Sequence, residues 1–207
     1  MTGTTALSTI RFAAAAALGL LALQATTACS PDAGADGSPD TTTGMAVSRS
    51  TLYTSVEDLS ADSTLVVVGR VTDRTTSGSA EAAGADTVHT VSTFEVTEAT
   101  PAAGREDADT DVPAAGSTIE VRQLGSTDVD QLPAPILEVG RDYLLFLTPT
   151  GLSGGAASQF HITGGTAGYY RSTAGPTGDR ADAGATFGKV GDEGDTLPAT
   201  LTADQIP

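Results

Sequence analysis

The chain has 207 residues with 26 acidic and 10 basic side chains, a net charge of −16, 24 Gly, 10 Pro, one Cys and no Trp. A charge this negative repels a phosphate backbone and lacks the basic footprint of a nucleic-acid binder, so no nucleic-acid partner is expected. One cysteine closes no internal disulfide and builds no zinc-thiolate cluster, and Ile, Leu, Val and Phe number only 41. That is close to the one-fifth level below which a highly charged chain is expected to stay disordered, so any core is small.

After a polar start whose one positive side chain is Arg11, residues 12–23 (FAAAAALGLLAL) are uninterrupted apolar sequence. Twelve helical residues reach roughly 18 Å, short of the roughly 30 Å hydrocarbon layer; a permanent transmembrane helix is disfavoured and an export signal fits. Gln24, Ala25, Thr26, Thr27 and Ala28 are small or polar, residues that a signal peptidase accommodates, and Cys29 follows directly. This segment resembles the bacterial lipoprotein signal, whose lipobox places small residues at the two positions before an obligatory Cys. Thr27 and Ala28 fit that pattern, and Thr26 stands where the family usually has Leu. The resemblance spans residues 1–29 alone. It implies removal of residues 1–28, thioether attachment of a diacylglyceryl group to Cys29, and acylation of the new amino group. Several acyl chains at ~0.8 kcal/mol per buried CH₂ hold far better than a single myristoyl group, so the membrane is an expected partner through lipid at Cys29. The alternative is an ordinary secretory cut after Ala28 that leaves a soluble protein with an incidental thiol.

Residues 30–49 are mostly Ser, Pro, Asp, Ala, Gly and Thr, with Met45 and Val47 as the sizeable apolar side chains. Such a segment buries too little to offset its ordering entropy; with Cys29 it reads as a lipidated, disordered tether over residues 29–49, on the order of 25 Å long. Apolar side chains concentrate in residues 50–171, the expected folded domain. Residues 172–207 read as a flexible tail, in which Pro198 allows a short docking helix through Leu201 and Ile206.

Within the domain, Leu52, Val56 and Leu59 recur at i, i+4 and i+7, the spacing of a short amphipathic helix with Ser50 or Thr51 as its cap. Residues 64–72 (TLVVVGRVT) are β-branched with apolar residues on both faces, a central strand in which Gly69 marks a bulge or tight bend. Residues 88–97 (VHTVSTFEVT) predict a second strand with Phe94 and Val96 inward and Glu95 outward, and residues 117–124 (STIEVRQL) alternate as a half-exposed third. Residues 143–148 (YLLFLT) are the most apolar run and again a central strand, while 159–163 (QFHIT) and 167–171 (AGYYR) supply two shorter ones. The stretches 75–86, 99–116 and 172–185, rich in Ala, Gly, Thr and Asp, read as exposed connections.

Five or six antiparallel strands, one helix and no βαβ alternation predict a mainly β fold, a small antiparallel barrel or a sandwich with one short N-terminal helix and long loops. The rhythm VVVGRV, TFEV, IEV and YLLFL, from Val66 through Leu147, resembles the oligonucleotide/oligosaccharide-binding architecture and most closely netrin-like modules. Netrin modules carry several disulfides and a free N-terminal Cys that chelates the metal of a target protease. With one Cys, whose amine acylation would block, the resemblance implies the barrel and not inhibition by that route.

Gly151, Leu152, Ser153, Gly154 and Gly155 spell G-x-S-x-G after an apolar strand, with His161 downstream. A nucleophile elbow needs a helix directly after the serine inside a parallel sheet, whereas this segment runs into another predicted strand, so a glycine-rich turn is expected. A hydrolase using Ser153 is the competing class. Asp107, Asp109 and Asp111 open like a calcium loop, but Val112 stands where Gly is needed and Thr118 where a bidentate Glu is needed. Solvated acidic loops are expected here and at Asp192, Glu193 and Asp195, with weak calcium affinity as the alternative. His89 and His161 fall on polar strand positions without an i, i+4 partner, so no metal site is assigned. Arg70 and Arg122 are expected in surface pairs with Glu95 or Glu120, with an anion site as the alternative, and Tyr169 and Tyr170 are the aromatics available to floor a glycan or peptide site. No catalytic or cofactor-binding residue is assigned, and Cys29 is the one lipid-attachment site. The expectation is an exported, monomeric cell-envelope protein whose β body interacts with an envelope protein or glycan.

Overall fold

A computed structural model describes residues 51–77, 88–105, 111–127, 134–174, 181, 184–191 and 194–206. Cys29 and the tether lie outside the described residues, as do Asp107, Asp109, Asp192 and Glu193.

Ser55 opens helix α1 (Val56–Ala61) from an extended backbone; its Oγ accepts the Asp58 N–H at 3.1 Å and donates to the Asp58 carboxylate at 2.8 Å. This reciprocal cap satisfies one orphan donor of the first turn. The helix therefore starts later than the expected cap at Ser50 or Thr51. Those residues are followed three positions on by Tyr53 and Thr54, which offer no carboxylate for the exchange. Leu52, now ahead of the helix, is 57% exposed, whereas Leu59 is fully buried.

One sheet holds β1 (Leu65–Ser77), β2 (His89–Pro101), β3 (Thr118–Leu124), β4 (Asp142–Pro149), β5 (Gln159–Ile162), β6 (Tyr169–Ser172), β7 (Phe187–Lys189) and β8 (Thr200–Leu201). The mainly β expectation holds. The first five strands pair in a closed circuit: β1 with β2, β2 with β3, β3 with β5, β5 with β4, and β4 back to β1. One contact departs from the antiparallel expectation, because β3 and β5 run parallel through Glu120↔Gln159 and Val121↔Phe160. β1 covers β4 from Asp142 to Leu147; along the other edge of β4, β5 takes Leu147 to Pro149 and β6 takes Tyr143 to Leu145. β7 and β8 continue outward from β6.

The β1–β2 ladder bulges twice. Its register passes from Val68↔Glu98 to Gly69↔Val96, which leaves Thr97 as an extra residue on β2, and from Val71↔Phe94 to Asp73↔Thr93, which leaves Thr72 extra on β1. Gly69 sits at the first bulge, as its lack of a side chain suggests: a Cβ there would run into the Glu95 carbonyl oxygen and the Phe94 ring.

Successive strand residues face opposite ways, and this sorts the core into two layers. Val67, Phe94, Val121, Leu145 and Ile162, one from each ring strand, meet in a cluster that fills the ring. Val66, Val68, Leu144 and Phe146 face the other way and pack with Leu59, Tyr170 and Phe187. Burial on both faces is why β1 and β4 read as unbroken apolar runs. The second layer also absorbs what the sequence presented as a flexible tail: Phe187, Leu197 and Leu201 are buried in it and Ile206 packs against it. The last residues turn through a single 3-10 turn at Ala203–Gln205. The described part of 172–207 thus belongs to the folded body. Its apolar side chains are too widely spaced to signal strands by period.

Candidate functional site

Each residue that stood out in the sequence has a definite place. Ser153 lies exposed at the entry to a 3-10 turn (Gly154–Ala156) that leads into β5, and its side chain makes no capping hydrogen bond. Gly151 and Gly154 take positive φ of 66° each, the left-handed geometry that such a turn reserves for glycine. His161 is exposed, with Nδ1 3.1 Å from the Arg122 carbonyl, and no hydrogen bond among the described residues joins it to Ser153. His89 is half-buried at the start of β2, and Asp111 is exposed. Among the described residues, no group of three His, Cys, Asp or Glu side chains gathers closely enough to hold a metal ion.

Three expectations are corrected, and the one for Arg70 is extended. Arg70 stands across from Glu95 in the β1–β2 register and feels its charge, but the hydrogen bonds of its guanidinium go to another carboxylate. Arg70 lies opposite Asp142 in the β1–β4 register and binds it with two parallel hydrogen bonds of 2.8 and 2.7 Å. Buried Asp142 also accepts the Ala181 N–H at 3.2 Å, and its carboxylate raises the Arg70 pKa through that side-chain hydrogen bond. Arg122 sits on β3, separated from β1 by β2, and donates to Gln159 at 3.3 Å; Gln159 in turn donates to Glu120 at 3.0 Å, so these side chains lace the short β3–β5 seam. Tyr169 and Tyr170 floor no surface site, because both are buried. Burial pushes the Tyr169 phenol strongly up, and it pushes Tyr170 up to about 12 with help from the Asp195 charge. Asp195 is no solvated loop residue: its side chain is fully buried, accepts the Tyr53 N–H at 2.8 Å and lies 3.7 Å from the Lys189 ammonium, itself 8% exposed.

A cleft of about 510 Å³ opens elsewhere, lined by Arg141, Arg171, Thr173, Ala174, Gly188 and Val190 among others. Its first wall is the turn before β4. Gln123 clamps the approach by donating to Pro135 O at 3.0 Å and accepting the Leu137 N–H at 2.8 Å, and the buried Tyr143 hydroxyl accepts the Glu138 N–H at 2.9 Å. Gly140 then turns the chain at φ 82°, with Val71 and Arg141 joined by a backbone hydrogen bond of 3.1 Å. Burial raises the Tyr143 pKa, so the hydroxyl that holds this turn stays neutral.

The opposite wall is the β6–β7 pair. Arg171 lies across from Tyr143 on one side and Gly188 on the other, so its side chain shares the ring-facing side of the sheet while Gly188 leaves the space beside it open. Lys189 contributes its strand to the lining, but it lies opposite Tyr170, and its ammonium goes to Asp195 in the other layer. The charged groups that matter are Arg141 and Arg171, and both reach one carboxylate: Glu138 Oε2 is 3.4 Å from Arg141 Nε, and Oε1 is 3.2 Å from Arg171 Nη1. With five N–H donors on each guanidinium, Glu138 takes up only a small part of their hydrogen-bonding capacity.

Sequence reasoning passed over all three. Glu138 and Arg141 flank a Gly at i, i+3, a local turn signal that was legible; Arg171 has no such signal, because only the sheet brings β6 beside that turn. Comparison with protein-family models, with curated proteins and with solved structures found no match to this chain.

Proposed function

We propose that this chain is exported, cut before Cys29 and held at a bacterial membrane by lipid on that sulfur, and that its β body is a monomeric binding module for an envelope protein or glycan. The observation that carries the module reading is the cleft itself: a concave, largely polar surface with two arginines, in a chain whose net charge is −16. The cleft's volume lies within the roughly 300–1,000 Å³ of small-ligand sites, and its lining is more polar than theirs, which favours a polar ligand. The anchor reading rests on the apolar run of residues 12–23 and the placement of the single Cys behind Thr27 and Ala28. A five-strand circuit with a seam only two residue pairs long supports the resemblance to the partly open five-stranded oligonucleotide/oligosaccharide-binding architecture.

Two experiments test the two halves separately. In detergent phase partition, wild type is expected in the detergent phase and Cys29→Ala in the aqueous phase; aqueous partition of both refutes the anchor. In cross-linking capture from envelope extract, wild type is expected to recover a partner that an Arg141→Gln, Arg171→Gln double variant loses. Recovery of nothing by wild type refutes the module and leaves a passive acidic spacer.

A further inference from the structure

Glu138 occupies the two arginines of the cleft as a carboxylate guest would, and it does so loosely. Charge-assisted N–H···O bonds settle near 2.7–2.9 Å, whereas its two contacts are 3.4 and 3.2 Å and its side chain is 51% exposed. The arginines are better placed than the group between them. Arg171 is on a strand paired along both edges, and Arg141 is tied to β1 through Val71, while Glu138 sits at the head of a turn. A more complementary carboxylate can therefore take over both guanidiniums with little rearrangement.

The rest of the lining narrows what carries that carboxylate. All four tyrosines of the chain, Tyr53, Tyr143, Tyr169 and Tyr170, are buried, so no tyrosine offers a face on which a neutral sugar ring could stack. Among the described residues the apolar lining is Ala174 and Val190, the latter already packed against the ring core, which gives peptide side chains little to anchor on. What remains is polar. The Thr173 hydroxyl donates to Thr186 O at 3.0 Å, which leaves its oxygen the role of an acceptor, and the Gly188 position is open, with Thr173 Cγ2 the nearest atom a Cβ would meet at 3.7 Å. We infer that the cleft binds a sugar acid, a carbohydrate ring bearing a carboxylate that engages Arg141 and Arg171, and that Glu138 is the internal competitor it displaces. This rests on the binding-module reading and names its ligand class.

The test is calorimetric titration of the purified full chain with trigalacturonate, with maltotriose, inorganic phosphate and a free acidic tripeptide as separate probes. Trigalacturonate is expected to bind, and each of the other three to bind at least roughly tenfold more weakly, since each lacks either the carboxylate or the ring hydroxyls. Arg171→Gln is expected to weaken trigalacturonate by roughly tenfold and Arg171→Lys by less, as a point charge replaces a fork. Glu138→Gln is expected to tighten it by up to roughly fivefold, the equivalent of one surface ion pair removed from competition. Circular dichroism and an unchanged thermal midpoint separate loss of the site from loss of the fold. The inference is overturned if neither wild type nor Glu138→Gln binds trigalacturonate, if phosphate or the tripeptide binds as well, or if Arg171→Gln makes no difference. If trigalacturonate fails while the capture experiment still recovers an arginine-dependent partner, the sugar-acid assignment falls and the module reading stands.

Discussion

Replacing Asp195 with Ala removes the acceptor of the buried Tyr53 N–H, 2.8 Å away, and leaves the Lys189 ammonium, 8% exposed, without its carboxylate. An unpaired buried amide costs about 1–3 kcal/mol. Breaking a fully buried ion pair costs about 3–5 kcal/mol, but the 3.7 Å separation and the flexible lysine stem, which can carry its head to water, place this pair below that range. A combined loss of about 3 kcal/mol follows, or a fall in thermal midpoint of about 6–12 °C for a body of this size. Urea unfolding followed by far-UV dichroism reads the first quantity and a thermal scan the second. Asp195→Asn, which keeps an acceptor for Tyr53, is expected to lose roughly half as much. A Lys189→Met, Asp195→Leu double variant is expected to lie closer to wild type than the Lys189→Met and Asp195→Ala losses summed, because it leaves no charge unpaired. A loss below about 1 kcal/mol for Asp195→Ala would refute the reasoning, since a surface substitution costs no more than that; the carboxylate would then be the solvated loop residue its neighbours in the sequence suggest.

Gly69→Ala is expected to destabilise by at least about 2 kcal/mol, because the new Cβ meets the Glu95 backbone carbonyl, which cannot move aside as a flexible side chain would; a urea midpoint within error of wild type would contradict this. Stability should hold up to about pH 10 and fall as pH climbs toward 12 and beyond. The unfolded phenols release their protons near pH 10, while Tyr170 keeps its proton until about 12 and Tyr143 and Tyr169 are raised as well, so above pH 10 the unfolded state binds fewer protons and is favoured. Tyrosinate absorbance and urea midpoints measured across that window check both parts, and a flat stability profile to pH 12 would contradict them. Ser153→Ala should change stability by less than about 0.5 kcal/mol, as an exposed turn residue without a cap bond implies; if it abolishes an esterase activity of the purified wild type, the hydrolase class is right.

The strands of the ring were legible because their chemistry is local. Residues 64–72 and 143–148 are apolar on both faces and proved to be β1 and β4, each buried on both sides; Phe94 and Val96 alternate with Glu95 and face inward. The ends were less legible. β1 runs on to Ser77 and β2 to Pro101 through polar residues, because each of these extensions is paired along the partner strand. The start of α1 departs from the apolar spacing of Leu52, Val56 and Leu59 because the Ser55–Asp58 exchange, not that spacing, sets the cap.

The candidate site divides in the same way. The Glu138-Val139-Gly140-Arg141 turn was on view in the chain, but Arg171 joins it only through the pairing of β6 with β4, across a separation that no pattern in sequence spans. Hydrophobic alternation reports which face of a strand is buried, so amino-acid order settled the β class and the central strands, and it marked Gly69 as a bulge or bend that the β1–β2 register resolved as a bulge. It carries no record of which strand lies beside which. Closing the ring through β4 and β1, sending Lys189 to Asp195 and Arg70 to Asp142, and gathering two arginines around one glutamate are long-range pairings, and those are selected only when the whole sheet packs.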